Sequence, residues 1–129
     1  MKAASAMFGV LVFVATGCAH ASGTDCIDAA LDRRQLEACG IRVVTPKQER
    51  VDAEYKRLMR RYAGDEEMLE LMRSARETWL GYINVHCLFE GAAAGGTTSK
   101  PVPLKGQKAF MRCIARVSDD AYAGLGRLR

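Results

Sequence analysis

The cysteines are the residues of this sequence whose type and spacing most clearly predict chemistry. Beyond residue 21 there are four: Cys26, Cys39, Cys87 and Cys113. An even number of cysteines in a short exported chain indicates disulfides, and four cysteines allow three pairings. We favour Cys26–Cys39 and Cys87–Cys113, because each pair closes a short local loop between neighbouring helical segments. The chain-entropy model gives roughly 3 to 3.5 kcal/mol for each such loop.

Metal binding and catalysis receive less support. The cysteines lack the Cys-x-x-Cys pairs of zinc sites, and the only histidine beyond residue 21, His86, adjoins Cys87. A hydrolase needs a nucleophile, a base and a group that orients the base, and His86 has no evident partner in the sequence. We therefore predict a non-enzymatic protein with no catalytic residues, no metal and no cofactor.

An acidic set and a glycine-rich segment are the next candidates. Paired catalytic carboxylates must face each other across a cleft. The acidic set, in contrast, lies at the start of a single predicted helix and consists of Asp65, Glu66, Glu67 and Glu70. An N-cap and the helix dipole explain acidic residues at this position. The segment Gly95–Lys100 lacks the G-x-x-x-x-G-K-[ST] pattern of a phosphate loop. We interpret it as part of a long flexible loop, and such loops often carry binding residues.

Basic residues form a run along one predicted helix. Lys56, Arg57, Arg60 and Arg61 cover its exposed side. The simplest interpretation is a solvated face, and the alternative is contact with an anionic polymer or lipid. The formal charge of the chain, +4, is modest. A nucleic-acid-binding protein usually has a denser basic patch, so we predict no nucleic-acid partner.

Residues 1–21 have the three-part layout of a secretory signal peptide. Lys2 supplies the positive start, an uncharged stretch contains the apolar run 8–14, and Ala19-His20-Ala21 ends it with small residues. The run is short for a transmembrane helix, which needs about 20 residues. We predict cleavage after Ala21 and export to the periplasm or cell envelope. Ala15-Thr16-Gly17-Cys18 resembles a bacterial lipobox, so a lipid anchor on Cys18 is the alternative.

Cleavage after Ala21 leaves residues 22–129, which suffice for one domain. Their patterns predict helices that position the candidate residues. The predicted helices cover 26–39, with Gly40 as the stop; Thr45 to Tyr62, with Thr45 as N-cap and Pro46 at the first position; 66–89, capped by Asp65; and 107–128, after a loop over 91–106.

Apolar residues recur at helical spacing in these segments. Val51, Tyr55 and Leu58 form the stripe of one helix, and Trp79 and Ile83 belong to that of the next. No alternation long enough for a strand occurs. We predict an all-α fold, a small disulfide-stapled bundle of about four helices.

This layout resembles the LprI-like lysozyme-inhibitor family, whose members are small, exported, helical bacterial domains that contain cysteines. The family pattern has two early cysteines and a Leu-Asn-x-x-Tyr-x-x-Leu helix. A Leu…Gln-x-x-Trp…Arg-Asp-x-x-Cys helix follows, then a Gly-Gly loop and a last helix with a cysteine. The matching residues here are Cys26, Cys39, Tyr55, Leu58, Leu69, Trp79, Cys87, Gly95, Gly96 and Cys113.

The sequence departs from that pattern mainly at polar positions. Asp52 stands at the family's Asn, Arg76 at its Gln, and Ile83-Asn84 at its Arg-Asp pair. In the last helix, Ser118 and Ala121 stand where the family shows Thr and Arg. The scaffold therefore matches better than the polar residues on it.

The resemblance implies an envelope protein that binds and inhibits lysozyme. Lysozymes are commonly basic and have acidic residues in the cleft, so the net positive charge of this chain disfavours long-range attraction. Two local docking modes stay open. The acidic set at residues 65–70, or Asp119-Asp120, could dock on lysozyme. Alternatively, the 91–106 loop could enter the cleft with Lys100 or Lys105 meeting its carboxylates. The alternative function is an envelope structural or interaction protein that binds anionic cell-wall polymer or lipid through the basic face.

Overall fold

The computed structural model describes residues 23–128, which are helical apart from short connections. The elements in chain order are α1 (Asp25–Ala29), α2 (Arg33–Cys39), a π-helical turn (Gly40–Val44), α3 (Thr45–Arg61), α4 (Glu66–Gly95) and α5 (Leu104–Gly126). The predicted all-α, disulfide-stapled bundle is thereby confirmed. The predicted signal peptide and Cys18 lie outside the described residues. None of the described helices is long and apolar enough to cross a membrane.

The segment predicted as one helix over 26–39 is two short helices. Ala30 is extended, and the Asp32 side chain accepts a hydrogen bond from the Gln35 backbone N–H at 2.8 Å. The Gln35 side chain in turn accepts from the Leu31 backbone N–H at 2.9 Å. This reciprocal capping starts a new helix, so the prediction of a single helix was wrong.

The predicted stop at Gly40 and the predicted cap at Thr45 were also wrong. Gly40 has helical dihedrals, and the Thr45 backbone N–H donates to the Gly40 carbonyl, five residues back. This wider π-helical turn lies directly before Pro46, whose ring and missing N–H disfavour a regular α-helical turn. Gly40 instead lies against α5, where a Cβ would come within 2.9 Å of the terminal methyl of Met111 and this flexible side chain would have to shift.

The helices α4 and α5 are longer than predicted. The Asp65 cap is confirmed, since its carboxylate accepts from the Met68 N–H at 3.0 Å. However, α4 continues to Gly95 instead of ending near 89, and α5 begins at Leu104 instead of 107. Three alanines, residues 92–94, favour the helical extension. The connection is therefore only residues 96–103, and the predicted loop over 91–106 was too long.

The core is organised around α5, which packs against both α4 and α3. Val51, Tyr55 and Leu58 of α3 are buried as predicted, whereas Trp79 of α4 is only half-buried. Both predicted disulfides are confirmed, with Cα–Cα distances of 5.8 Å for Cys26–Cys39 and 5.4 Å for Cys87–Cys113. Three of the four disulfide cysteines belong to the central buried cluster, and Cys26 packs against it. The members of the cluster are Ile27, Ala30, Leu36, Cys39, Val44, Ile83, Cys87, Cys113, Ile114 and Ala115.

Candidate functional site

Residues 96–103 form a short loop at the end of the α4–α5 hairpin, which we call the hairpin loop. Gly96 ends α4 in the left-handed region, with φ of 73°, as a glycine at this position often does. The Ser99 N–H donates to the Thr97 hydroxyl at 3.0 Å, and the Gln107 side chain donates to the Val102 carbonyl at 2.6 Å. The Thr97 N–H also donates to the Ala92 carbonyl at 3.2 Å, so the loop is bonded to α4 through Ala92 and to α5 through Gln107.

Lys100 lies in this loop and is exposed. The peptide bond between Lys100 and Pro101 is cis. Within residues 23–128 the Lys100 ammonium has no ion pair. It is therefore a cation available to a partner. Lys105, the other predicted basic candidate, is also exposed and follows on the first turn of α5.

The hairpin below the loop is tightly built. Cys87 and Cys113 join α4 to α5 covalently. One turn nearer the loop, the backbones approach so closely that a Cβ on Gly106 would lie 2.6 Å from the Gly91 carbonyl oxygen and 3.2 Å from the Gly95 Cα. This glycine packing and the disulfide give the hairpin loop a rigid base.

A groove of about 510 Å³ runs along the hairpin beside the loop. Its apolar wall comes from three helices, through Leu36 of α2, Leu88 of α4 and Phe110 of α5. Arg33 and Lys100 stand among the few charged residues that line it. No local sequence pattern indicates this groove, because its walls are far apart in the chain.

The predicted acidic residues lie at the other end of α4. This helix has 30 residues, which corresponds to a length of about 45 Å. Asp65 caps the helix, Glu66 and Glu67 are exposed in its first turn, and Glu70 pairs with Arg73 at 3.2 Å. The structure therefore does not bring the acidic set together with Lys100, and the two docking modes would use opposite ends of α4.

The basic run on α3 is partly neutralised by neighbours. Lys56 pairs with Asp52 at 3.0 Å, and Arg57 pairs with Glu54 at 2.7 Å. Arg61 lies over the ring of Tyr62, with its guanidinium carbon 6.0 Å from the ring centroid. Arg60 is exposed and has no ion pair in the part of the chain that the structure describes. Only half of the run is thus free to meet an anionic surface.

Two residues that depart from the resembled family bind each other. Arg76 of α4 donates to Asp52 of α3 at 2.5 Å, and Asp52 also accepts from Lys56. Hydrogen bonds from Lys56 and then Arg76 hold the pKa of the Asp52 carboxyl below its usual range. Burial raises the pKa of the neighbouring Tyr55. This arrangement is a bridge between two helices that otherwise touch little.

The side chain of His86 is engaged with neighbouring residues. It lies 2.8 Å from Glu90 and stacks on Tyr82 with ring centroids 5.0 Å apart. Glu90 also binds Arg116 at 2.6 Å, and that hydrogen bond is the main reason why the pKa of Glu90 is lowered. Although Cys113 completes a group with metal-ligand atoms within 4.8 Å, its sulfur is in the disulfide and is not a thiolate ligand.

Comparisons with known proteins neither support nor contradict the resemblance to the lysozyme-inhibitor family. No protein-family model matches the chain, and no curated protein or solved structure is significantly similar to it. Membership of the lysozyme-inhibitor family therefore stays a prediction that rests on the motifs.

Proposed function

We propose that the protein is an exported, non-enzymatic binding protein that inhibits lysozyme by inserting its hairpin loop into the substrate cleft. The observation that carries this proposal is the exposed, unpaired Lys100 on a short loop held by a stapled hairpin. Lysozyme clefts contain two catalytic carboxylates. A cation that reaches them forms a charge pair in a site from which the inhibitor has excluded water.

The build of the hairpin supports this mode of binding. A loop that becomes ordered only on binding binds more weakly, because ordering it costs conformational entropy. Here the bond from the Thr97 N–H to the Ala92 carbonyl and the bond from Gln107 to the Val102 carbonyl already fix the loop at both ends. The threonines and Ser99 also offer hydroxyl groups of the kind that hydrogen-bond to polar cleft residues. The hairpin loop is thus preorganised for a concave partner.

Charge explains why the loop is a better contact than the acidic end of α4. Arg60 and Arg61 precede the turn that leads to Asp65, so positive and negative charges are mixed there. The Asp65 carboxylate is engaged in capping, and Glu70 in an ion pair. At the hairpin loop, in contrast, Lys100 has no such neighbour to satisfy it. Short-range pairing in the cleft does not require the net negative charge that long-range steering would need.

The two disulfides are compatible with an oxidising compartment outside the cytosol. Together with the signal-like N-terminus, they support export to the periplasm or envelope. Mass spectrometry of the exported protein tests this step. We expect a chain that begins at Ser22, whereas a lipid-modified chain beginning at Cys18 would establish the anchored alternative. A full-length chain retained in the cytoplasm would contradict export.

Turnover of bacterial cell walls by lysozyme tests the proposed function. We expect the mature protein to inhibit at least one lysozyme type at concentrations on the order of tens of micromolar or lower. Lys100→Glu should weaken inhibition by about tenfold or more, because it places a carboxylate against the cleft carboxylates. Arg60→Glu makes the same charge change on α3, five residues before the Asp65 cap of α4, and should leave inhibition unchanged.

Three outcomes separate the rival functions. The absence of inhibition across several lysozyme types would reject the proposal. Inhibition that survives Lys100→Glu but is lost in a Glu66→Lys and Glu67→Lys double variant would move the contact to the acidic end. Salt-sensitive binding to peptidoglycan or anionic vesicles, lost in Arg60→Glu without any effect on lysozyme, would favour the envelope-binding alternative.

A further inference from the structure

The groove beside the hairpin loop has the size and composition of a small-molecule site. Its volume of about 510 Å³ is within the range of ligand pockets, about 300 to 1,000 Å³. Its apolar lining includes Leu88, Val102, Phe110 and Met111, together with Leu36, which is only 1% exposed. Leu88 is 60% exposed, so the groove is open to solvent along this wall.

The charged residues that line the groove carry a net positive charge. Arg33 and Glu37 pair with each other at 2.8 Å, so their charges offset one another. Lys100 adds a further positive charge that the described residues leave unpaired. The hydroxyl-bearing Thr97 and Thr98 also line the groove and belong to the same loop. An anionic group is therefore favoured at the loop side of the groove.

The walls of the groove present few free hydrogen-bonding groups to the backbone of a bound peptide. Outside the hairpin loop they are helical, so most of their backbone N–H and C=O groups are bonded within α2, α4 and α5. The Gln107 amide already donates to the Val102 carbonyl. A peptide lying in the groove would leave many of its own polar groups unpaired, which is costly. An aliphatic chain has no such groups and loses only water on binding.

From these observations we infer that the groove binds a single-chain amphiphile with a carboxylate head group. The aliphatic chain lies on Leu88, Phe110 and Met111, and the carboxylate pairs with the ammonium of Lys100. Gly91 and Gly106 also line the groove, and their missing side chains let α4 and α5 pack closely at its floor. This inference does not rest on lysozyme inhibition, because it requires no protein partner.

Titration of the isotope-labelled mature protein with alkanoates of increasing length, followed by amide NMR, tests the inference. Octanoate, decanoate and dodecanoate are used below their micelle concentrations. We expect saturable shifts around Leu88, Gly106 and Phe110. Affinity should rise by up to about fourfold for each added methylene, since burial of one CH₂ is worth about 0.8 kcal/mol. Dodecanol should bind more weakly than dodecanoate because it lacks the charge.

Two pairs of variants localise the site. Leu88→Asp places a charge in the path of the chain and should weaken dodecanoate binding by about tenfold or more. Val85→Asp is its control, since Val85 lies one turn earlier on α4, is 72% exposed and does not line the groove. Lys100→Glu should weaken dodecanoate but not dodecanol, whereas Lys105→Glu should affect neither, because Lys105 does not line the groove.

The same experiments can overturn the inference. Affinity without chain-length dependence, or an equal loss from Leu88→Asp and Val85→Asp, would reject the groove as the site. Equal affinities for dodecanoate and dodecanol that Lys100→Glu leaves unchanged would reject the carboxylate pairing. Binding to anionic vesicles but not to monomeric amphiphile would show a membrane-binding surface instead. None of these outcomes depends on the lysozyme assay, so the two proposals fail separately.

Discussion

The two halves of α4 are held to the rest of the protein by different forces. We call residues 83–95 the stapled half, because it contains the disulfide-bonded Cys87 and the buried residues of α4, which are Ile83, Cys87 and Gly91. Residues 66–82 form the ion-paired half, which is joined to α3 through Arg76 and Asp52. Covalent and close apolar contacts fix geometry more firmly than a part-exposed ion pair does. This difference explains why we assign binding to the stapled half.

Among the substitutions that test this comparison, removal of the Cys87–Cys113 disulfide should cause the largest loss in the free energy of unfolding. We expect the double variant Cys87→Ser and Cys113→Ser to lose about 3.5 kcal/mol in the free energy of unfolding, because the bridge closes a loop of 26 residues. The matching double variant of Cys26 and Cys39 removes a shorter loop and should lose about 3 kcal/mol. Urea unfolding measures both. A loss under about 1 kcal/mol at the hairpin would contradict the role given to the staple.

The glycine packing of the stapled half is the next test. Gly106→Ala should lower the free energy of unfolding by about 2 kcal/mol, since its Cβ would meet the Gly91 carbonyl oxygen at 2.6 Å. Gly81→Ala is the control, because nothing lies within 4 Å of a Cβ there. It should raise stability by up to about 1 kcal/mol through helix propensity. Thermal unfolding of both variants measures the contrast, and stabilisation by both would refute the close packing.

The ion-paired half should respond to pH instead. A double-mutant cycle of Asp52→Asn and Arg76→Gln should give a coupling of at most about 1 kcal/mol, since both side chains are partly exposed. The lowered pKa of Asp52 means that its stabilising contribution is present at neutral pH. That contribution disappears as the pH falls below about 4 and through the folded-state pKa. Coupling that persists in strong acid would argue against an ionic bridge.

The smallest effect concerns Ser118, which lies in α5. Its side chain is fully buried, and its hydroxyl has no hydrogen-bond partner among residues 23–128. Ser118→Ala should therefore raise the free energy of unfolding by about 1 kcal/mol, because an unsatisfied buried hydroxyl is costly. Chemical denaturation measures the change. Destabilisation by this substitution would mean that the hydroxyl is satisfied in solution.

Much of the fold was predictable, because caps and apolar stripes are local signals. The cap at Asp65 and the buried stripe of Val51, Tyr55 and Leu58 are examples that the structure confirms. Glycine was the main source of error. Gly40 and Gly91 suggest helix ends in the sequence, yet both lie within helical backbone and admit the close approach of Met111 and Gly106. Such approaches depend on residues far along the chain, which no local pattern records.

The candidate site was predictable only in part. Lys100 was identified because it lies in a segment rich in glycine and hydroxyl residues. The groove was not, since Leu36, Leu88 and Phe110 belong to three different helices. Each is an ordinary apolar residue in its own helix, and only the packing of the helices makes them one surface.

Hydrogen exchange along α4, measured on the mature protein with and without lysozyme, tests the central claim most directly. For the free protein, we expect slow amide exchange in the stapled half and faster exchange in the ion-paired half. Added lysozyme should increase protection in the hairpin loop and the first turn of α5, and leave residues 65–70 unchanged. Uniform exchange along α4, or protection by lysozyme at residues 65–70 instead of the hairpin loop, would contradict the account.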